Sequence, residues 1–567
     1  YLRGEYGELA RLNQSWGTQF ADWSQVGIAD PADLDETAAL KTGNTARWFD
    51  RQAFKSWNFV RFCGKYRTAY EALDPQAKVG FEGAGLFDRG DDIGLIVGSN
   101  TFWSPYPGTA DEVIRSLAPR EFPRANWMGY TKDADSLLAK YWRMVVLGMD
   151  SVWWWRWDCI GRFHGWLAPD LRPFPAVTEL LADTRMVREG LGDLLLHSTR
   201  QDDGIAILYS YPSSLIHQQR GGASFGSYES AHLGAQALVR ELGLEFRYIT
   251  DRMVRDGELD NAAISVLLLP RAEALGDAEA EAIRRFVERG GLVVADVRTG
   301  IYDGHCRART KAALDELFGV RREGVGDAIL AQDGELGTLK LDSRVQPTTG
   351  TALKTVTGVA AFIANTSGTG ETLFLNADFS AMAQLAQPEA AETVATDMAL
   401  RLARFGVLPE YTLVGHAGAR ERGVMVSRWQ NGDAAIVSLF RTAGVRSEVK
   451  VLLPHAAAVY DLRRRELVTT GRGFTTAVVP NRASFFAVLP SKAPAAKLVL
   501  PAEARPGDVV AATVSIPRAS GLHALRLRVT AAGTPLDSLD RNVLVGQEPV
   551  RLALPIAWND PTGRYDI

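Results

Sequence analysis

Cysteine is scarce in this chain: Cys63, Cys159 and Cys306 are the only three in 567 residues. They share no metal-ligand spacing, and a scattered odd set builds no disulfide framework. No metal centre and no structural disulfide are therefore expected. Charge of one sign is also lacking. Lys and Arg number 63 against 67 Asp and Glu, a net charge of −4, and without a basic stripe nucleic acid is an unlikely partner class. No apolar run is long enough to span a bilayer, and no amphipathic lipid anchor stands out, so no membrane partner is expected. Phosphate-cradling glycine loops are missing too: no Gly-x-Gly-x-x-Gly follows a strand, and no Gly-x-x-x-x-Gly-Lys-Ser/Thr occurs. No cofactor is implied. Initiator methionine and signal peptide are absent, and the last residues open a strand at Tyr565, so both ends read as cut and the compartment stays open.

Aromatic residues are plentiful where they matter. Trp153-Trp154-Trp155-Arg156-Trp157-Asp158 is an unbroken run of aromatic and charged side chains, with His164 a little downstream. Strand alternation sends Trp153, Trp155 and Trp157 to one face and Trp154, Arg156 and Asp158 to the other. Two readings follow. One is a tryptophan-rich core strand with a solvated Arg/Asp end. The other is a sugar site, since indoles pack on the C–H faces of sugar rings and Arg, Asp and His serve the hydroxyls.

The pattern along the chain predicts an α/β multidomain protein. Helical periodicity runs over 40–66 and 133–149, with β-like runs at 77–81, 93–97, 125–128 and 151–157, each ending at a polar or glycine-rich loop. Four such strands make half of an eight-stranded barrel. From 202 to about 320 the pattern is doubly wound: strands at 204–209, 266–270 and 292–296, helices at 229–242 and 277–288. The run 373–379 returns to that sheet after a β-rich stretch, and one further helix spans 388–405. Beyond Thr412 everything is β. Gln430-Asn431-Gly432-Asp433 between two apolar alternating runs marks a hairpin, and the Ala/Pro/Lys stretch 490–497 links two sandwiches. The divisions fall at 1–200, 201–411, 412–490 and 491–567. The β-sandwich tail favours an extracytoplasmic setting.

Tyr6-Gly7 through Leu12-Asn13 to Trp16-Gly17-Thr18 resembles the "Tyr-Gly … Leu-Asn … Trp-Gly-Thr" segment of glycoside hydrolase family 42 β-galactosidases. Tyr141-Trp142-Arg143, the approach Leu147 to Ser151, the Trp155-Arg156 pair and Phe163-His164 are similar to that family's entry into its eighth barrel strand. The middle of the chain, Asp202 to about Leu317, resembles the family's trimerisation domain. The resemblance covers roughly two-thirds of the chain. It implies a partial (β/α)8 TIM barrel carrying strands five to eight (1–200), then a flavodoxin-like or class I amidotransferase-like α/β domain (201–411), a β-sandwich (412–490) and a second, truncated one (491–567). It also implies an oligosaccharide or polysaccharide substrate, and a homo-oligomer, by resemblance a trimer.

Glycoside hydrolysis commonly needs two carboxyl groups at the carboxyl ends of barrel strands. In the family resembled, the acid/base glutamate ends the fourth strand, which places it upstream of Tyr1. The nucleophile glutamate ends the seventh, where this chain has Gly129. Other carboxylates come into question. Glu82, at the end of the fifth strand beside Phe81, is placed for general-acid work or for a backbone or Arg156 contact. Asp158 is a second catalytic candidate or a salt-bridge partner of Arg156 or Arg162. Glu121 precedes its strand, and Asp91-Asp92 reads as a solvated turn. Asn100, Trp103, Trp155, Arg156 and His164 are the candidates for sugar binding. Two function classes remain: a β-galactosidase-like hydrolase, and a carbohydrate-binding or scaffolding protein on a degenerate barrel, which Gly129 favours. A third, an amidotransferase-like activity, lacks a nucleophile in context, since His305-Cys306 sits in a loop.

Overall fold

The computed structural model describes residues 1–27, 38–39, 41, 45–82, 91–104, 110–129, 131–157, 165–219, 225–323, 328–386 and 392–567. They form two compact units, one of residues 1–127, 151–153 and 202–409, the other of 128–150, 154–201 and 410–567. No helix among the described residues is long and apolar enough to cross a membrane.

The chain opens with helices α1 (Leu2–Tyr6), α2 (Leu9–Trp16) and the long α3 (Thr45–Glu71). Strands and helices then alternate: β1 (Gly80–Glu82), α4 (Ile93–Ser99), β2 (Phe102–Ser104), α5 (Ala110–Leu117), β3 (Ala125–Gly129), α6 (Ala134–Val146) and β4 (Ser151–Trp155). β1 and β2 are parallel with Glu82 opposite Ser104, a parallel bridge joins Trp103 to Arg124, and β3 pairs with β4. One element departs from expectation. Residues 93–97 are helical, not extended, and the strand lies later, at 102–104. A short apolar run does not by itself distinguish a buried helix from a strand. Here Asp92 decides it, its side chain accepting from Leu95 N at 3.1 Å as a helix cap. The same Asp92 is buried and salt-bridged to Arg252 at 2.6 Å, so it is no solvated turn residue.

The doubly wound region follows the pattern closely. Strands β5 (Ile205–Tyr209), β6 (Phe246–Thr250), β7 (Val266–Leu269) and β8 (Leu292–Ala295) are parallel. An antiparallel meander of β9 (Thr351–Val356), β10 (Val359–Ser367) and β11 (Gly370–Leu375) adds to it, with β11 parallel to β8. The sheet order among the described residues is β9-β10-β11-β8-β7-β5-β6. Both faces are buried. Ile205, Ile207, Val266, Leu268, Leu292 and Val294 enter one core; Ala206, Leu208, Leu267, Leu269, Val293 and Ala295 enter the other. This alternation is why the strands read as continuous apolar runs. Helix α5 is tied to β6 through Arg115, whose guanidinium donates to Phe246 O at 2.6 Å and pairs with buried Glu112 at 2.7 Å.

In the second unit, the expected hairpin joins Met425–Asn431 to Ala434–Phe440, with Asn431 opposite Ala434 and Gly432 at φ 62°. That pair sits in a sheet with Ala458–Asp461, Glu466–Thr469, Ser484–Leu489 and Thr199–Arg200, and Thr412–Val414, Ser447–Leu452 and Gly473–Val478 form a second sheet. Val426, Val437, Leu439, Val449, Val451 and Phe486 share their core. After Lys497 come further antiparallel pairs, Val509–Ser515 with Val550–Pro555 and His523–Leu527 with Arg541–Val545.

Candidate functional site

The Leu-Asn/Trp-Gly-Thr motif folds into a self-satisfied corner. Leu12 is fully buried, and Gly17 ends α2 in the left-handed region at φ 66°. Asn13 Oδ1 then accepts from Thr18 Oγ1 at 2.8 Å and from Phe20 N at 2.9 Å, while its Nδ2 donates to Phe20 O at 2.8 Å. The corner aims Trp16 at Asp50, on the first turns of α3.

Asp50 is 1% exposed and collects three donors. Tyr6 Oη donates to Oδ2 at 2.5 Å, Trp16 Nε1 donates to the same oxygen at 2.6 Å, and His305 Nδ1 lies 2.7 Å from Oδ1. The His305 ring stacks on Tyr6 at 4.8 Å and meets Phe49 edge-on at 5.8 Å. Burial alone lowers the His305 pKa, but the hydrogen bond and charge of Asp50 more than offset it and raise the imidazole above its ordinary value. His305 and buried Asp50 thus hold each other in a part-buried, hydrogen-bonded pair. Neither residue was singled out as a site candidate by sequence; nothing local marks Asp50, and its partner stands 255 positions away. The adjacent Cys306 is fully buried with its thiol 3.4 Å from Pro212 O, and burial pushes its pKa well up. Such a thiol is a poor nucleophile.

Glu82 is the last residue of β1, at the carboxyl end of a parallel strand. Asn100 precedes β2 instead of following a strand, a direct consequence of 93–97 being helical. It is buried, and its Nδ2 donates to Ile96 O at 2.9 Å and to Ser99 Oγ at 3.1 Å, closing the end of α4. Trp103 lies inside β2 at 0% exposure, among Ile93, Val97, Val113 and Phe122. It offers no ring face to a sugar, so this candidate for sugar binding is a core residue. Asn126 is likewise buried and donates to Asp111 on α5.

β4 ends at Trp155, two residues short of the expected strand, and within it Trp153 and Trp154 face opposite ways. Trp153 stacks on Phe102 at 5.1 Å and meets Trp127 edge-on at 5.1 Å. Trp154 faces the other way, onto Tyr141 and Trp166, at 6.0 and 4.1 Å. Trp155 and Arg156 are half-buried and joined by a cis peptide, and Trp157 is 73% exposed. Asp158 and His164 lie outside the described residues.

Gly129 ends β3 at φ 136°, and a Cβ there would stand 1.8 Å from Trp155 O. No side chain fits without moving one strand end from the other.

No family model matches the sequence, and no curated protein sequence matches it. Solved structures do. The chain superposes on the β-galactosidase of Bacillus circulans sp. alkalophilus with a TM-score of 0.65 at 15% identity, covering 86% of this chain and 75% of that one. A catalytic mutant of Gan42B, a GH42 β-galactosidase from G. stearothermophilus, gives 0.64 at 17%, over 86% and 74%. The apo exo-carrageenase GH42 of Bacteroides ovatus gives 0.53 at 12%, over 86% and 62%. At such identities the likeness is one of fold. The chain has the fold of family 42 β-galactosidases over most of its length, the family its Leu-Asn/Trp-Gly-Thr motif resembles.

Proposed function

We propose that this protein is a glycoside hydrolase acting on β-galactosides or related glycans. β1 to β4 serve in this reading as the last four strands of a (β/α)8 barrel, and 201–411 as the domain through which copies associate, as trimers. The observation that supports it most is a carboxylate, Glu82, ending a parallel strand within a fold shared with family 42 structures. Ligands of parallel α/β barrels bind at the carboxyl ends of the strands. Glu82 acts as one of the two carboxyl groups, the second being the acid/base glutamate of the fourth strand, with Asp158 a further candidate. Trp155, Arg156 and His164 contact the sugar.

One observation favours a second reading, a non-catalytic carbohydrate-binding or scaffolding protein. By the sequence resemblance Gly129 falls where the family has its nucleophile, and a Cβ there would stand 1.8 Å from Trp155 O. A panel of aryl β-glycosides assayed with the protein at its full natural length separates the two. Turnover of any of them supports the hydrolase. Oligosaccharide binding without turnover supports the scaffold.

A further inference from the structure

A cavity of about 470 Å³ opens within the first unit, inside the roughly 300–1,000 Å³ typical of small-molecule sites. Lys78 precedes β1, Asn100 and Thr101 precede β2, and Glu121 and Phe122 precede β3, so three strands present their amino ends to it, away from Glu82. Thr250, Met253 and Asp256, at and beyond the carboxyl end of β6, close the other side. Open α/β sheets take their ligands beyond the carboxyl ends of their strands. Helix α4 runs along the cavity and contributes two glycines. A Cβ on Gly94 would stand 3.2 Å from Thr250 Cγ2, whereas one on Gly98 would meet nothing within 4 Å. Gly98 therefore borders open space.

The polar lining holds more acceptors than donors left to serve them. Asn100 is 5% exposed. Its amide nitrogen donates to Ile96 O and to Ser99 Oγ, which fixes the amide and leaves Oδ1 for the cavity, without a donor among the described residues. The Glu121 and Asp256 carboxylates also accept from no side chain or backbone N–H among the described residues. The guanidiniums are engaged: Arg252 donates twice to buried Asp92, at 3.0 and 2.6 Å, and Arg67 pairs with Glu71 at 2.7 Å. Lys78 Nζ lies 3.5 Å from the Glu121 carbonyl oxygen. Leu95, Val97, Leu117, Phe122 and Met253 add an apolar floor. A buried acceptor without a donor is costly, so the lining fits a compact ligand that brings several hydroxyl donors and one apolar face.

We infer that this cavity is a second saccharide site, taking a neutral sugar whose hydroxyls donate to Asn100 Oδ1, Glu121 and Asp256 while its C–H face lies on the apolar floor. The saccharide class rests on the glycan reading above; the demand for donors rests on the three acceptors. Hydrolysis belongs to the carboxyl ends of barrel strands, so a sugar held at the amino ends is bound and not cleaved.

The test is calorimetric titration of the 567-residue chain with methyl β-galactoside and with galacturonate, in the parent and in Gly98→Leu. The leucine grows from a helical position into open space, where it is a better helix former than glycine, so the cavity is filled and the melting temperature is not lowered. The parent is expected to bind the neutral sugar with a Kd on the order of 1 mM, and Gly98→Leu at least about tenfold more weakly. The double change Glu121→Ala and Asp256→Ala, at two exposed positions, should weaken binding by about threefold or more without moving the melting temperature. Neutral-sugar binding that survives Gly98→Leu places the sugar elsewhere and overturns the inference while leaving the glycan reading intact. Galacturonate binding as tightly as the neutral sugar, or an unchanged affinity in the double variant, overturns the acceptor assignment. Binding of no sugar at all overturns the inference, and the aryl-glycoside panel then decides the hydrolase reading separately.

Discussion

Replacing Gly129 by alanine puts the closed end of β3 to a quantitative test. The new Cβ would meet Trp155 O at 1.8 Å, where ordinary contact begins near 3.4 Å, and the backbone sits at φ 136°, which L side chains rarely adopt. The backbone penalty is roughly 1–3 kcal/mol. Forcing the strand ends apart to admit a methyl group adds about 1–3 kcal/mol more. A loss of about 2–6 kcal/mol is thus expected, a large share of the ~5–15 kcal/mol that holds a typical domain together. Urea unfolding followed by tryptophan fluorescence reads it, since Trp154 and Trp155 lie on the adjoining strand. Gly129→Glu should be at least as damaging and should confer no hydrolytic activity. A Gly129→Ala chain within about 0.5 kcal/mol of the parent would refute the claim that the backbone forbids a nucleophile at this position.

Three further outcomes follow from buried groups. Trp103→Ala should cost about 3–5 kcal/mol in the same unfolding assay, whereas Trp157→Ala, at a 73% exposed position, should shift stability by less than about 0.5 kcal/mol; near-equal effects would put Trp103 back among surface platforms. Glu112→Gln leaves Arg115 and Arg240 without their shared buried carboxylate, a loss of about 3–5 kcal/mol that should appear as a lower denaturation midpoint. His305 gives a pH signature. Its folded pKa is raised above the unfolded value of about 6.5, so its contribution is complete below that value and is lost as pH rises through the raised folded pKa. Asp50→Asn should flatten this part of the stability–pH profile, and an unchanged profile would dissociate His305 from Asp50.

Much of the fold was legible because its determinants are local. The strands 205–209, 266–269 and 292–295 are apolar on both faces, and a parallel sheet covered on both sides requires that composition. The Gln430–Asp433 turn names its own hairpin, and the Leu12–Thr18 motif closes on itself through Asn13. Residues 93–97 were misassigned because five apolar residues carry no period, although the Asp92 cap was there to be read. That one shift moved Asn100 to the wrong end of its strand and made Trp103 look exposed. The Asp50 cluster was illegible for a different reason. Its members come from α1, α2, α3 and a loop hundreds of residues downstream, and tertiary packing alone brings them together.

The hydrolase reading stands or falls most directly on Glu82. Full-length protein carrying Glu82→Gln, checked for an unchanged melting temperature, is compared with the parent on the best aryl β-galactoside of the panel. A drop in kcat of at least about 10²-fold is the result expected when one of the two catalytic carboxyl groups is lost. A kcat within a few-fold of the parent's, in a folded variant, would contradict the role assigned to Glu82.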